Sequence, residues 1–157
     1  MVDGVTARVL GIPDLKVALL SIPSKLRKRA LRNSLAAGAR VVQKESRSKT
    51  PVLKLATPYR TPGLLRKAIS VRTSKIARRK GDVGVFVNVR PAKTGQRGAK
   101  SKSDPFYWKF VEFGTRKMRA FEFLQAGGKK LDQALQAFIQ TIGPQIKKLN
   151  GGKDVQL

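Results

Sequence analysis

The side chains that most often perform acid–base or metal chemistry are missing from this chain. It contains no histidine and no cysteine, which removes the commonest general base, the commonest metal ligand and every disulfide or thiolate site. The nine carboxylates (Asp3, Asp14, Glu45, Asp82, Asp104, Glu112, Glu122, Asp132, Asp154) are scattered over 157 residues, and no two of them suggest a working acid and base. No phosphate-binding G-x-x-x-x-G-K-[ST] loop or dinucleotide fingerprint is present. The inventory argues against an enzyme and names no cofactor or metal. The abundant chemistry is cationic: 34 Lys and Arg against nine acidic residues give a net charge of +25. Such a chain repels itself and attracts polyanions, either nucleic acid or the acidic surfaces of neighbouring subunits.

Three groups of cations stand out. Lys25, Arg27, Lys28, Arg29, Arg32, Arg40, Lys44 and Arg47 decorate one helical stretch that holds a single acid, Glu45. Few i,i+4 salt bridges are available there, so the face reads either as a solvated surface or as a binding surface, with Arg27, Arg29 and Arg32 as candidates. Arg78, Arg79 and Lys80 form a basic tip between two strand patterns and are phosphate-contact candidates; a merely soluble turn is the alternative. Arg90, Lys93, Arg97, Lys100 and Lys102 lie in or beside a loop, with Arg97 and Lys100 the candidate contacts.

These groups need elements to hold them. Seven of the ten aromatic residues are Phe106, Tyr107, Trp108, Phe110, Phe113, Phe121 and Phe123, all within 106–124. A segment of this kind nucleates a core or an interface. Asp104 as N-cap, Pro105 at the first position and Gly114 as left-handed cap delimit a short helix. Phe106, Phe110 and Phe113 would form its apolar stripe. Trp108 lies off that stripe, which suits an interface anchor or a residue packed under the adjacent loop. Glu112 belongs on the outer face or in a pair with an arginine.

The run Phe110-Val111-Glu112-Phe113-Gly114-Thr115, followed by Met118, Ala120 and Phe123-Leu124, resembles the signature of a tailed-phage family. Its members are small neck or minor tail components, gene-product-ten-like, called head–tail joining or tail-completion proteins. A second block agrees in order: Thr50-Pro51-Val52, then Thr61-Pro62-Gly63-Leu64-Leu65-Arg66-Lys67-Ala68-Ile69, with an insertion from about Leu53 to Arg60. Glu122 stands where the family usually has proline, and Gly127-Gly128 interrupts a normally unbroken helix. The resemblance covers most of the chain, from about Gly11 to Gln140. It implies a virion structural protein of the neck or tail end, made in the host cytoplasm. The implied assembly is a hexameric or dodecameric homo-oligomeric ring around the DNA channel. Its partners would be head-closure or connector proteins on one side and tail-terminator or tail-tube proteins on the other, with double-stranded DNA in the channel. The alternative is a free-standing basic nucleic-acid-binding protein, although the aromatics are not interleaved with cations as stacking platforms would be.

Taken in order, the chain reads as a weak strand over 5–9, a short helix over 13–20 and a long helix from about Pro23 to Ser48. Ile22, Leu26, Ala30, Leu31, Leu35, Ala39 and Val42 trace the long helix's apolar stripe. A short helix over 63–68 begins at Thr61-Pro62. Strands follow over 69–74 and 83–89, joined by a hairpin at 78–82. Residues 91–103 have no apolar side chain larger than alanine and read as a flexible loop. A last amphipathic helix through Leu131, Leu135, Phe138 and Ile142 should end or kink at Gly143-Pro144, before a frayed tail over 150–157. The expected fold is one α+β domain over 1–157: a small antiparallel sheet packed against the long N-terminal helix and the C-terminal helix. No apolar run is long enough for a membrane span and no signal-peptide pattern appears, so a soluble protein is expected.

Overall fold

The structure, a computed structural model, describes residues 16, 17, 19, 20 and 22–149. The strand expected over 5–9 and the tail over 150–157 lie outside the described residues. So does most of the helix expected over 13–20, of which residues 16, 17, 19 and 20 are helical.

The long helix is α1, Ser24–Lys49. Its buried residues are Ala30, Ser34, Gly38 and Ser46, spaced in steps of four or eight. All are small, and the larger residues of the expected stripe lie to one side of that line, with Leu26 exposed. The reason is close approach. A Cβ on Gly38 would lie 2.6 Å from the carbonyl oxygen of Ala134, and one on Gly127 would strike Ser46 Oγ and come within 2.8 Å of the Val42 carbonyl oxygen. Near-touching backbones gain dispersion along the whole line of contact. A large residue on that line would push them apart.

The partner along the line from Ala30 to Gly38 is α6, Leu131–Leu149, which continues through Pro144 where the sequence suggested an end or kink. Proline in a helix costs about 3 kcal/mol. Ile142 and Ile146, one turn apart and both fully buried with Ile22 and Ala30, each contribute about 1.5–3 kcal/mol by burial. Continuing the helix therefore wins. Gly143 also helps, because it has no Cβ to clash with the proline ring behind it.

Between the long helices the chain forms α2 (Leu64–Ala68), β1 (Ile69–Thr73), α3 (Lys75–Arg79) and β2 (Val85–Val89). The strands are antiparallel, pairing Ile69 with Val89, Val71 with Val87 and Thr73 with Val85. That sets β-branched residues on one face, and Arg72 pairs with Phe86 on the other. The turn expected at 78–82 is instead partly helical. Ser74 caps α3 by accepting the Ala77 N–H at 3.2 Å, and Gly81, at φ +83°, returns the chain toward β2. Helix α2 starts after Gly63 in a left-handed conformation (φ +73°), not from a Thr61 cap. The sheet is anchored to α1 by two side chains: Gln43 Nε2 and Arg47 Nη2 each donate to the Ile69 carbonyl at 2.8 Å.

The core has two clusters. One joins Leu65, Ile69, Val89, Val111 and Phe123; the other joins Ile22, Ala30, Ile142 and Ile146. The fold is α+β, as the sequence indicates, with a two-stranded antiparallel sheet and the N- and C-terminal helices packed against it. No helix among the described residues is long and apolar enough to cross a membrane.

Candidate functional site

The aromatic segment folds as α4, Trp108–Phe113, then a tight turn and α5, Phe123–Gly128. Glu112 explains why the turn closes. It is only 5% exposed, and its Oε2 and Oε1 accept the N–H groups of Leu124 and Gln125 at 2.9 and 3.1 Å. These are orphan donors of the first turn of α5, where a carboxylate also meets the positive end of the helix dipole. The carboxylate's partners are two amides of its own chain, in place of the arginine that the cation-rich composition suggested.

Gly114 ends α4 at φ +76°, and a Cβ there would lie 2.7 Å from the Ala120 nitrogen and 2.8 Å from the Met118 carbonyl oxygen. Both conformation and space demand glycine. Thr115 and Met118 exchange backbone hydrogen bonds of 2.8 and 3.2 Å across the turn. Phe123 then inserts into the core with no exposed surface. Within the quoted motif, Glu112, Gly114, Thr115, Met118, Phe123 and Leu124 thus act together to reverse the chain. Glu122 sits at φ +49°, a conformation proline cannot adopt. The chain's departure from the family pattern at this position therefore goes with a different local backbone.

The expected apolar stripe of Phe110 and Phe113 is not the buried face of α4. Phe110 and Phe113 are 53% and 75% exposed, whereas Trp108 packs, half-buried, against the Leu65–Phe123 cluster. The inward face of α4 is taken by Val111 and Glu112, because the returning chain pairs Phe121 and Glu122 N–H with the Val111 and Glu112 carbonyls. Phe110 and Phe121 line a groove of about 330 Å³ with Val52, Leu53, Arg60 and Tyr107. Arg60 lies 5.2 Å from the Tyr107 ring centre and 5.8 Å from that of Phe106. Burial raises the Tyr107 pKa above its usual 10.0, and the Arg60 charge opposes that rise.

Asp104 does not cap α4. Buried, it accepts the N–H groups of Ala92 (3.1 Å) and Gly98 (2.8 Å) with its two oxygens. It thereby fastens two points of the 91–103 loop, in which Arg97 Nε also donates to the Ala92 carbonyl at 3.1 Å.

The opposite end of α1 is cationic. A cleft of about 280 Å³ is lined by Lys25, Lys28, Arg29 and Arg32 of α1, by Thr73 at the end of β1, and by Arg78, Asp82 and Val83 of the β1–β2 connection. Two basic groups far apart in sequence thus meet in one concavity. Arg29, Arg32 and Arg78 are in its wall. Arg27, Arg79, Lys80, Arg97 and Lys100 are not, and the Arg27 guanidinium reaches back to the Leu19 carbonyl at 3.5 Å. Lys25 and Lys28 were not singled out from the sequence, although positions 25, 28, 29 and 32 share one helix face. None of the five cleft cations has a side-chain hydrogen bond or ion pair among the described residues. Nor does the first turn of α1 hold any acidic residue.

The described residues hold no group of three His, Cys, Asp or Glu that could bind a metal. What the geometry defines is a small α+β protein whose distinctive surfaces are a cationic cleft and an exposed aromatic patch. The family model described as bacteriophage HK97-gp10, putative tail-component, matches residues 15–114, so the chain belongs to that family of phage tail proteins and its place is in the virion. The matched span takes in the Thr50–Ile69 block and the Phe110–Gly114 part of the aromatic motif. Comparison with curated proteins and with solved structures finds no match.

Proposed function

We propose that this tail component is a neck or tail-completion subunit that assembles into a homo-oligomeric ring around the DNA path and joins head-side to tail-side proteins. The observation that carries the reading is the exposed aromatic patch. Phe110 and Phe121 line one groove with Val52 and Leu53, and Phe113 is exposed on the same short helix as Phe110, which leaves large apolar side chains open to a partner. Aromatic residues of this kind anchor interfaces, and a few of them carry most of the binding energy. The role is structural: the chain's distinctive groups bind and orient, and none is arranged for bond making.

Self-association of a +25 chain is opposed by its own charge. The ring therefore closes best where salt, DNA or acidic neighbours screen that charge. Removing the gene from its phage should leave DNA-filled heads and finished tails that do not join. Native mass measurement of the purified protein at moderate salt should give a discrete multimer that Phe110→Ser/Phe113→Ser reduces to monomer. Joined, infectious particles without the protein would overturn the reading. So would a wild-type chain that stays monomeric both alone and with its neighbours.

A further inference from the structure

The cationic side chains of the cleft between α1 and the β1–β2 connection are not tied into the fold. The five make no ion pair or side-chain hydrogen bond among the described residues. Four of them share one helix face, where like charges at i,i+3 and i,i+4 destabilise the helix. They also sit in the first third of α1, near the end whose dipole is already positive, with no acidic residue in the first turn. Every one of these arrangements costs stability in the free subunit, and every one is relieved by the same event, the arrival of phosphate anions.

We propose that Lys25, Lys28, Arg29, Arg32 and Arg78 form a binding site for the sugar–phosphate backbone of duplex DNA. A concave wall of cations favours it over a general basic surface, because separate phosphates of one strand can contact α1 and α3 at once. Asp82 lies in the same wall and sets a limit on where a phosphate can sit, at the α1 side and beside Arg78. Recognition is independent of sequence: the cleft residues are lysines and arginines facing phosphates, and no element is offered to a groove.

The site also gives the subunit a polarity. Arg29 and Thr50 are about 30 Å apart along α1 and its C-cap by helical rise, and the aromatic groove begins at Pro51. In the ring proposed above, the cleft end faces the DNA and the aromatic end faces protein. This orientation rests on that reading; DNA binding by the cleft does not.

The test compares two variants with equal charge removed. Arg29→Gln/Arg32→Gln/Arg78→Gln strips the cleft, and Arg79→Gln/Lys80→Gln/Arg97→Gln strips cations outside it. All six side chains are on the surface or at its edge, so both chains should fold. Binding of a random-sequence duplex is read by anisotropy across a salt series, with polyglutamate as the competing polyanion. The cleft variant should lose at least about tenfold in affinity, and its slope of log K against log salt should fall by about 2.7, three phosphate contacts at about 0.9 each. The control should lose less than about one unit of slope. Equal losses in both variants would overturn the proposal, because binding would then follow net charge. So would a wild-type chain that binds polyglutamate but not DNA. A chain that binds DNA through the cleft yet never forms a multimer would leave this site standing and remove the ring.

Discussion

The two ends of α1 use charge in opposite ways. At the aromatic end the charged and polar side chains are turned inward onto backbone: Glu112 holds the start of α5, Asp104 holds the 91–103 loop, and Arg47 with Gln43 holds the Ile69 carbonyl. With those groups satisfied internally, Phe110, Phe113 and Phe121 stand exposed there among the surface cations Lys109, Arg116, Lys117 and Arg119. At the cationic end the side chains of the five cleft cations have no such partner among the described residues, and they share the cleft with one carboxylate, Asp82. The comparison teaches that +25 is not a uniform coat. The two deeply buried carboxylates are both engaged at the aromatic end, so the cleft keeps only Asp82 against five cations and most of its counter-charge must come from elsewhere.

The sharpest way to break that contrast is within the aromatics themselves. Phe123→Ala should destabilise the fold by about 3–5 kcal/mol, because a fully buried ring is lost and a cavity remains. Phe113→Ala, 75% exposed, should change stability by less than about 0.5 kcal/mol. Urea unfolding of both variants checks the pair; similar losses would mean that the patch is part of the core. Next in size is Glu112→Ala, which strands the Leu124 and Gln125 amides and should cost about 2–3 kcal/mol in the same experiment. An unchanged midpoint would remove Glu112 from its capping role.

A smaller effect of opposite sign is expected at Glu122. Its left-handed backbone costs a non-glycine residue about 1 kcal/mol, so Glu122→Gly should gain roughly that amount. A loss would mean that the Glu122 side chain contributes something its geometry does not reveal. The smallest effect concerns pH. Burial favours the neutral Tyr107 phenol, so the folded-state pKa lies above the unfolded one. Its contribution is fully present below pH 10.0 and is lost as pH rises through the folded value. Tyr107→Phe should flatten that alkaline fall in melting temperature; an identical fall in both proteins would assign it to other groups.

Much of the fold was legible because its signals are local. The α1 limits, the period-two strands and the glycine stop at Gly114 all follow from neighbours within a few residues. What escaped is decided by contacts distant in sequence. Which side of α4 faces inward depends on where residues 121–125 return, so a stripe of Phe106, Phe110 and Phe113 looked like core and is mostly surface. The helix continues through Pro144 because Ile22 and Ala30, more than a hundred residues earlier, bury the isoleucines on either side of it. Beyond Ala30, which the apolar stripe includes, the buried line of α1 is written in Ser and Gly, residues a hydrophobic pattern overlooks. Of the candidate contacts, Arg29 and Arg32 share a helix face with Lys25 and Lys28 in the sequence itself, and only the fold brings Arg78 to them. Asp104 was recognised as important for the wrong bonds, since a cap and a loop clamp call for the same residue type.

The central claim is that the two ends act on different partners and can be disabled separately. Sedimentation velocity of Phe110→Ser/Phe113→Ser and of Arg29→Gln/Arg32→Gln/Arg78→Gln, each with and without a labelled duplex, tests it in one experiment. The account predicts that the first variant sediments as a monomer that still carries DNA, and that the second forms the wild-type multimer but leaves the duplex behind. Two variants that lose both properties together would contradict it.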